Sequence, residues 1–294
     1  MSSSNYWIGI GFFMLQMFVS CGNDIVSKFM GQRLDALEVT FFRFFFGLIT
    51  LLPFACCSLK SVFSSNQIGM NLVRGILGAV SFFLYIYAVI ALPLAEVVVI
   101  LWTIPLFSMV FSKIFLKETV SGIRWIVTII GFIGLAIVST MDKTNSFVFN
   151  ALYIIPVAAA FLFALQDIII KKMVNAQEDK ITMLMYFALV TSIVTFIPTI
   201  FVWKTPTLFE LSMLFLLGIG GNLIQYFIFK AFSYVDVSAV APYRYLELLV
   251  SALMALIFFL EIPEIKVYIG AAILIPSTLY LGYSEHKKNK RKKA

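Results

Sequence analysis

The chain has 294 residues, of which 61% are hydrophobic and 13% charged, and its formal net charge is +7. A soluble domain is usually about 45–50% apolar and about 25% charged. The composition therefore excludes an ordinary soluble protein and predicts an integral membrane protein. Six basic residues lie in the segment 285–294, EHKKNKRKKA, which favours a solvated cytoplasmic end beside anionic lipid over a nucleic-acid-binding tail.

Few residues are available for catalysis or metal binding. The single histidine, His286, lies in the basic tail, and Cys56 and Cys57 are adjacent rather than spaced as metal ligands. No GxxxxGK[ST] loop occurs, which argues against transport driven by ATP. The sequence therefore predicts no metal, no cofactor and no enzyme activity. The apolar run that begins near Tyr6 has no basic region before it, so it predicts a first span rather than a cleavable signal.

Ten apolar segments, most of them about 20 residues long, are separated by short polar breaks. In chain order they are 6–30, 37–58, 70–90, 94–115, 121–140, 149–172, 181–203, 209–231, 237–260 and 265–283. Backbone groups in lipid must find partners within the protein, so these segments are expected to be helices. The predicted fold is all-α, with ten transmembrane helices.

The two halves of the chain resemble each other at a fixed shift of 143 residues. This shift places DIVSK (24–28) on DIIIK (167–171) and FLKE (115–118) on FFLE (258–261). It also places Gly75 and Gly78 on Gly218 and Gly221. A single shift over most of the chain indicates duplication. We predict two five-helix repeats, residues 1–143 and 144–284, followed by the tail 285–294.

An odd number of helices in each repeat makes the two copies run in opposite directions across the membrane. Inverted repeats are a recurring plan of secondary transporters, with the substrate near the bilayer midplane. Most basic residues in the predicted loops lie on the side of the two termini. By the positive-inside rule, both termini are predicted to be cytoplasmic.

The ninth span contains a cation and an acid in the stretch VAPYRYLELLVSA (240–252). At about 1.5 Å per residue, Glu247 would lie near the bilayer centre and Arg244 would lie about 10 Å deep. A charge at the centre costs roughly 2.5–3.5 kcal/mol on the insertion scale, so both groups should face protein or water. With about 100° per residue, Val240, Tyr243, Arg244, Glu247 and Ser251 form one stripe, opposite Tyr245. The stripe predicts a substrate cavity; the alternative is that Arg244 and Glu247 only neutralise each other.

Other polar and aromatic residues are candidates for the same cavity. The fourth span carries Trp102, Thr103 and Glu96, and Glu96 is either a rim residue near the outer surface or part of a gate. Tyr85 on the third span, and Asn222 and Gln225 on the eighth, lie at depths from which they could hydrogen-bond a ligand. Polar contact between helices is the alternative for each of these residues.

Two duplicated pairs predict gates. Asp24 and Lys28 lie four residues apart at the outer end of the first span, and Asp167 and Lys171 lie at the inner end of the sixth. Arg43 is expected at the depth of Asp24. We predict that these clusters latch the outer and inner gates alternately. The alternative is that they are helix-end pairs that reach toward the membrane surface.

Several segments resemble a known family. The two five-helix halves resemble the EamA-type domains of the drug/metabolite transporter superfamily. GNDIVSK (22–28), FFRFFFGLITLLPF (41–54), KAFSYVD (230–236) and APYRYLELLVSA (241–252) resemble the S-adenosylmethionine uptake transporters of obligate intracellular bacteria. The resemblance implies uptake of S-adenosylmethionine across the bacterial inner membrane, in exchange for S-adenosylhomocysteine.

On this resemblance, Arg244 would bind the substrate carboxylate and Glu247 the ammonium or sulfonium. Tyr243, Trp102 or Tyr85 would stack on the adenine or face the sulfonium. The alternative within the superfamily is an exporter of amino acids or related metabolites, since an arginine and a glutamate suit any zwitterion. A lipid-modifying enzyme would need a clustered acid–base or metal site, and a structural protein would not need a polar midplane.

Overall fold

The computed structural model describes residues 3–56, 65–92, 97, 100–140, 151–247 and 250, together with 272, 275–277, 279–280 and 283–284. Over these residues the chain is helical and contains no strand. The helices are α1 (Ser3–Met30), α2 (Ala36–Cys56), α3 (Ile68–Ala91), α4 (Ile104–Phe115), α5 (Gly122–Thr140), α6 (Ile154–Asn175), α7 (Lys180–Thr199), α8 (Leu208–Tyr234) and α9 (Val237–Val240). Short 3₁₀ segments cover Ala151–Tyr153, Ile200–Val202 and Ala241–Leu246.

Six of the described helices (α1, α2, α3, α6, α7 and α8) are long and apolar enough to cross a membrane. The helix α3 has one exposed apolar face and one buried face. Ile68, Leu72, Ile76 and Val80 recur every four residues and are 43–50% exposed. The opposite face of α3 buries polar and small residues, including Arg74. The prediction of an all-helical membrane protein is confirmed, whereas the number of ten helices stays a prediction.

The predicted boundaries agree with the described helices to within a few residues in most places. The start of α8 shows why: Thr207 and Glu210 form a reciprocal capping box at its first turn, a signature that can be read directly from TLFE. At α7, the Asp179 side chain accepts from the backbone N–H of Thr182 at 3.0 Å. Helix ends with such local partners depend little on the rest of the fold.

The ninth span differs from the prediction. The stripe was predicted from α-helical spacing, but residues Ala241–Leu246 form a 3₁₀ segment directly after α9. Pro242 lies at the first turn of this segment and lacks a backbone N–H. The tighter turn, with about three residues per turn, rotates each side chain away from its α-helical position. Tyr243 and Tyr245 are both buried, whereas Arg244 and Glu247 are half-buried.

The two halves of the chain pack mainly against each other. The helix α1 lies along α8, and α3 lies along α6; these two packings correspond to each other under the 143-residue shift. The shift also relates the packing of α8 on α2 to that of α3 on α7. At these contacts Gly218 lies against Gly47, and Gly75 lies against Val190. Two of the glycines that recur in the sequence thus lie where helices of the two halves are in close contact.

Helices α1 and α6, which correspond under the shift, run in opposite directions. The start of α1 lies at the end of α8, where Phe12 stacks on Tyr234 at 6.2 Å. The end of α1 lies at the start of α8, where Phe29 meets Phe209 at 6.3 Å. In contrast, α6 ends beside the end of α8, because Lys171 donates to Val235 O at 2.8 Å. One end of the bundle therefore carries Lys28 and the other carries Lys171.

At the Lys28 end, the loop after α1 is fixed by ionic contacts. Arg33 Nε donates to Glu210 Oε1 at 2.6 Å, and Arg33 Nη2 donates to Thr205 O at 3.0 Å. The hydrogen bond to Glu210 raises the pKa of Arg33, which remains half exposed. Lys204 Nζ donates to Arg33 O at 3.1 Å. These contacts join the loop after α1 to the loop before α8.

Candidate functional site: a charged cluster between the helices

The segment that carries Arg244 is anchored by one side chain from the loop before α5 and one from the first turn of α5. Glu118 accepts from the backbone N–H groups of Val237 and Ser238, each at 3.1 Å, and from Ser238 Oγ at 2.7 Å. Arg124 Nη1 also donates to Ser238 Oγ at 2.7 Å. Glu118 therefore supplies acceptors for the free N–H groups of the short helix α9. This anchoring sets the position at which the 3₁₀ segment begins.

Arg244 pairs with an acid from the other side of the bundle. Its Nη2 lies 2.5 Å from Asp167 Oδ2 on α6, and Ser108 Oγ on α4 donates to the same oxygen at 3.0 Å. The guanidinium also lies 5.3 Å from the centre of the Phe13 ring on α1. The alternative expected for Arg244, an ion pair with Glu247, is not formed in the described part of the chain. Arg244 forms its ion pair with Asp167 on α6 instead of with Glu247.

Four charged or polar groups from four elements converge beside this pair. Tyr85 on α3 donates to Asp24 Oδ1 on α1 at 2.5 Å. Asp24 interacts electrostatically with Arg43 on α2 and with Glu247, the residue directly after the 3₁₀ segment. Glu247 accepts no hydrogen bond from any described residue. The four residues Asp24, Tyr85, Arg43 and Glu247 are called the central cluster below.

The lysines of the two predicted gates donate to backbone carbonyls, and the gating role of the two clusters stays a prediction. Lys28 Nζ donates to the carbonyls of Val89 and Leu92 at the end of α3, the latter at 3.4 Å. Lys171 Nζ donates to Phe232 O at 2.7 Å and Val235 O at 2.8 Å at the end of α8. The terminal carbonyls of a helix lack intrahelical partners and carry partial negative charge, so a lysine stabilises them. The two sets of contacts are equivalent under the 143-residue shift.

Two predicted polar ligands connect helices. Asn222 Nδ2 donates to Gly47 O at 2.7 Å and to Thr50 Oγ1 at 2.9 Å, joining α8 to α2. Gln225 Oε1 accepts from Arg74 Nη2 at 2.8 Å, joining α8 to α3. These contacts support the alternative of polar contact between helices, and the ligand-binding role of both residues stays a prediction.

The aromatic candidates lie in different surroundings. The Tyr243 hydroxyl lies 3.2 Å from that of Tyr6 in a buried contact. Trp102 is 5% exposed, and its Nε1 has no partner among the described residues. Thr103 Oγ1 donates to Ile100 O, three residues earlier in the chain, at 2.7 Å. Of the aromatic residues predicted to contact substrate, only Tyr85 belongs to the central cluster.

Some predicted residues lie outside the described part of the chain. These are Glu96, Ser251, the segments 93–96 and 251–271 of the fourth, ninth and tenth spans, and the tail 285–294. Conversely, the structure adds residues that the sequence analysis missed. Ser108 supports Asp167, and Asn23 on α1 donates to Leu217 O at 3.2 Å, close to Gly220. The only signal in the sequence for Asn23 is Gly220, since a glycine leaves room for a neighbouring side chain.

The central cluster is suited to reversible binding of a charged small molecule. It presents two carboxylates, a guanidinium and a phenol between membrane-spanning helices, where a charge is retained only if it has a partner or a function. Half-buried acids in such a position can exchange their contacts for those of a ligand. The fold and the cluster together define a membrane carrier.

The chain belongs to the EamA-like transporter family, whose profile matches residues 7–140 and again residues 150–283. It is 43% identical to an S-adenosylmethionine uptake transporter of Rickettsia bellii, covering 98% of this chain and 97% of the relative. It is also 43% identical to a protein of the same name from Rickettsia felis, covering 98% and 96%. A solved crystal structure matches with a TM-score of 0.77 at 16% identity, covering 98% of this chain and 99% of the other. The resemblance stated from the sequence is thereby confirmed at the level of family, and the crystal structure supports the fold alone.

Proposed function

We propose that this protein is a secondary transporter that takes up S-adenosylmethionine by alternating access. The observation that carries the proposal is the 43% identity, over 98% of the chain, to transporters named for this substrate. The chemistry of the central cluster supports it. S-adenosylmethionine carries a carboxylate, an ammonium and a sulfonium, and the cluster offers a guanidinium and two carboxylates.

The proposed architecture has ten transmembrane helices in two inverted repeats, residues 1–143 and 144–284, with a basic tail at 285–294. Three observations support it: the double match of the family profile, the opposite directions of α1 and α6, and the equivalent lysine contacts at the ends of α3 and α8. We place both termini in the cytoplasm of a bacterium and the Lys28 end outside, because basic loops favour the cytoplasmic side.

Within the site, we propose that Glu247 faces the cationic sulfonium, because it accepts no hydrogen bond from any described residue and lies beside Asp24. Tyr85 would stack on the ligand through its ring while its hydroxyl stays on Asp24. Direct binding of the substrate by Arg244 would require Asp167 to give up a contact of 2.5 Å. Asp167 and Arg244 thus form an engaged latch between α6 and the ninth span, in keeping with the proposed gating role of Asp167.

The proposed transport mode is exchange for S-adenosylhomocysteine, the product left when the methyl group has been used. This product is a zwitterion of the same shape without the sulfonium charge. A site that accepts the adenosine and amino-acid parts of one compound offers the same contacts to the other. Carriers with inverted repeats can alternate between two facings while either ligand is bound.

The test is uptake of labelled S-adenosylmethionine into proteoliposomes that contain the purified protein. Uptake should exceed that of protein-free liposomes and should rise when S-adenosylhomocysteine is present inside. A proton gradient in place of internal S-adenosylhomocysteine distinguishes exchange from proton symport. Absence of uptake, with efflux of preloaded amino acids instead, would refute the proposal and favour the exporter alternative.

A further inference from the structure

Arg43 is a buried guanidinium whose hydrogen-bonding groups are unused. It is 4% exposed, its Nε is fully buried without a partner, and no described residue forms a hydrogen bond with it. Leaving a cation unpaired in an apolar environment is strongly unfavourable, so buried arginines normally have partners. The described residues therefore leave the hydrogen-bond donors of Arg43 without an acceptor.

The surroundings of Arg43 fix its position without accepting a hydrogen bond from it. Its guanidinium carbon lies 4.6 Å from the centre of the Phe82 ring on α3, in a cation–π contact. On the α8 side lies Gly221, where a Cβ would come within 3.2 Å of Arg43 Nε. A side chain at position 221 would therefore crowd the guanidinium, and the glycine keeps this space open.

A second buried arginine of the same chain provides a comparison. Arg74 is 0% exposed and lies 4.1 Å from the Phe187 ring, but it also donates to Met183 O at 3.0 Å and to Gln225 Oε1 at 2.8 Å. Two nitrogens of Arg74 therefore have acceptors, as expected of a structural arginine, although its Nε, like that of Arg43, has no partner among the described residues. Arg43 has the aromatic contact and lacks the acceptors.

Asp24 is the acid that interacts electrostatically with Arg43. The two residues form no ion pair, and Asp24 Oδ1 accepts a hydrogen bond from Tyr85 at 2.5 Å. An α-amino acid carries its carboxylate and its ammonium on the same carbon atom. A guanidinium and a carboxylate that lie near each other without bonding complement this arrangement.

We propose that Arg43 binds the α-carboxylate of the substrate and Asp24 its ammonium, in place of the carboxylate contact expected from Arg244. This inference rests on the proposed function and deepens it. Arg244 is neutralised by Asp167 at 2.5 Å, whereas Arg43 needs no contact broken before it binds. Because Arg43 lies on α2 and Asp24 on α1, a bound amino-acid group also joins these two helices.

The charges of the cluster agree with this assignment. Asp24, Arg43 and Glu247 together carry one net negative charge when ionised, and the pair of Arg244 with Asp167 carries none. S-adenosylmethionine, with one carboxylate, one ammonium and one sulfonium, carries one net positive charge. With the carboxylate on Arg43 and the ammonium on Asp24, Glu247 is left for the sulfonium.

The test compares two ligands that differ only in this carboxylate: S-adenosylmethionine and decarboxylated S-adenosylmethionine. Binding of each to the purified full-length protein is measured by calorimetry for wild type, Arg43→Gln, Arg43→Lys and Arg244→Gln. Arg43→Gln should weaken binding of S-adenosylmethionine by roughly tenfold to a hundredfold, as expected for a charge-assisted contact. It should change binding of the decarboxylated ligand by less than about threefold, because that ligand has no carboxylate to lose.

The control variant Arg244→Gln should preserve the ratio of the two affinities, since Arg244 does not touch the carboxylate in this proposal. Equal weakening of both ligands by Arg43→Gln would overturn the inference while leaving the proposed function intact. Failure of the wild type to bind S-adenosylmethionine would overturn the proposed function and this inference with it. If Arg43→Gln cannot be recovered folded, Arg43→Lys decides: it keeps the charge but loses the planar fork, and an unchanged ratio of affinities would refute the proposal.

Discussion

The ion pair between Arg244 and Asp167 makes a quantitative prediction about stability. Its atoms are 2.5 Å apart, and the exposed side-chain fractions are 19% for Arg244 and 6% for Asp167. At an effective dielectric constant of about 20, two unit charges at this distance attract by roughly 7 kcal/mol, most of which offsets the loss of hydration. Removing one partner is therefore far more costly than the net value of the pair suggests, because the other charge stays buried.

We expect Asp167→Asn to lower the free energy of unfolding by about 3–5 kcal/mol, and Arg244→Gln to lower it by a similar amount. The double variant, which has no buried charge left unpaired, should lose less than the sum of the two by roughly 2–3 kcal/mol. Unfolding by denaturant in one detergent, followed by tryptophan fluorescence, measures all three. Arg33→Gln is the matched control, because Arg33 is 46% exposed in its ion pair with Glu210 and its loss should lower the free energy of unfolding far less than the loss of Asp167.

Additive losses in the double variant would refute this reasoning, because they would mean that the two side chains stabilise the protein independently. A loss at Asp167 no larger than at Arg33 would refute it as well. It would show that Arg244 finds water or another acid when Asp167 is neutralised. Either result would also remove the main reason for considering Arg244 unavailable to the substrate.

Three further predictions concern other contacts. Glu247→Gln should lower uptake of S-adenosylmethionine at least about tenfold in proteoliposomes while weakening S-adenosylhomocysteine binding less, because only the former has a sulfonium; equal effects would contradict this role. Gly218→Ala should destabilise the protein by about 1–3 kcal/mol, because the added Cβ would lie 2.6 Å from Gly47 N. The control is Gly69→Ala, whose Cβ meets no atom within 4 Å; it should leave the melting temperature unchanged or raise it slightly. Lys171→Met should cost about 2–3 kcal/mol by leaving two carbonyls at the end of α8 without their donor, and an unchanged melting temperature would rule out this capping role.

Much of the fold follows from one-dimensional patterns. The span predicted at 209–231 corresponds to α8, Leu208–Tyr234, because an apolar run in lipid has to be helical and the capping box at Thr207 marks its start. The shift of 143 residues also identified the glycines through which α3 and α8 approach their neighbours. Both kinds of information are local or periodic, so they do not depend on knowing which helices touch.

The partners of the charged residues could not be predicted in the same way. Sequence spacing predicted a substrate cavity at Arg244 and Glu247, with mutual neutralisation as the alternative, and it grouped each lysine with the acid four residues earlier in a gate. The structure instead pairs Arg244 with Asp167, 77 residues away, and places Lys28 and Lys171 on backbone carbonyls. Such choices depend on how helices from the two halves interlock. The start of α9 likewise depends on contacts of Glu118, more than 100 positions earlier in the chain.

The comparison between the halves separates two kinds of residue. Those that recur under the 143-residue shift hold helices together or end them; they are Lys28 with Lys171, Gly75 with Gly218, and Gly78 with Gly221. Those proposed to recognise the substrate have unlike counterparts: Arg43 with Tyr186, Tyr85 with Ile228, and Glu247 with Ile104. A carrier that alternates between two facings needs similar packing on both sides of the membrane, but its asymmetric substrate needs only one set of charges. The duplicated residues therefore stabilise the helix packing that both facings of the carrier need. The residues that differ between the two copies determine which substrate binds. Asp24 and Asp167 combine the two roles, because they are equivalent under the 143-residue shift and have different partners. Asp167 forms an ion pair with Arg244. In our proposal, Asp24 binds the ammonium of the substrate.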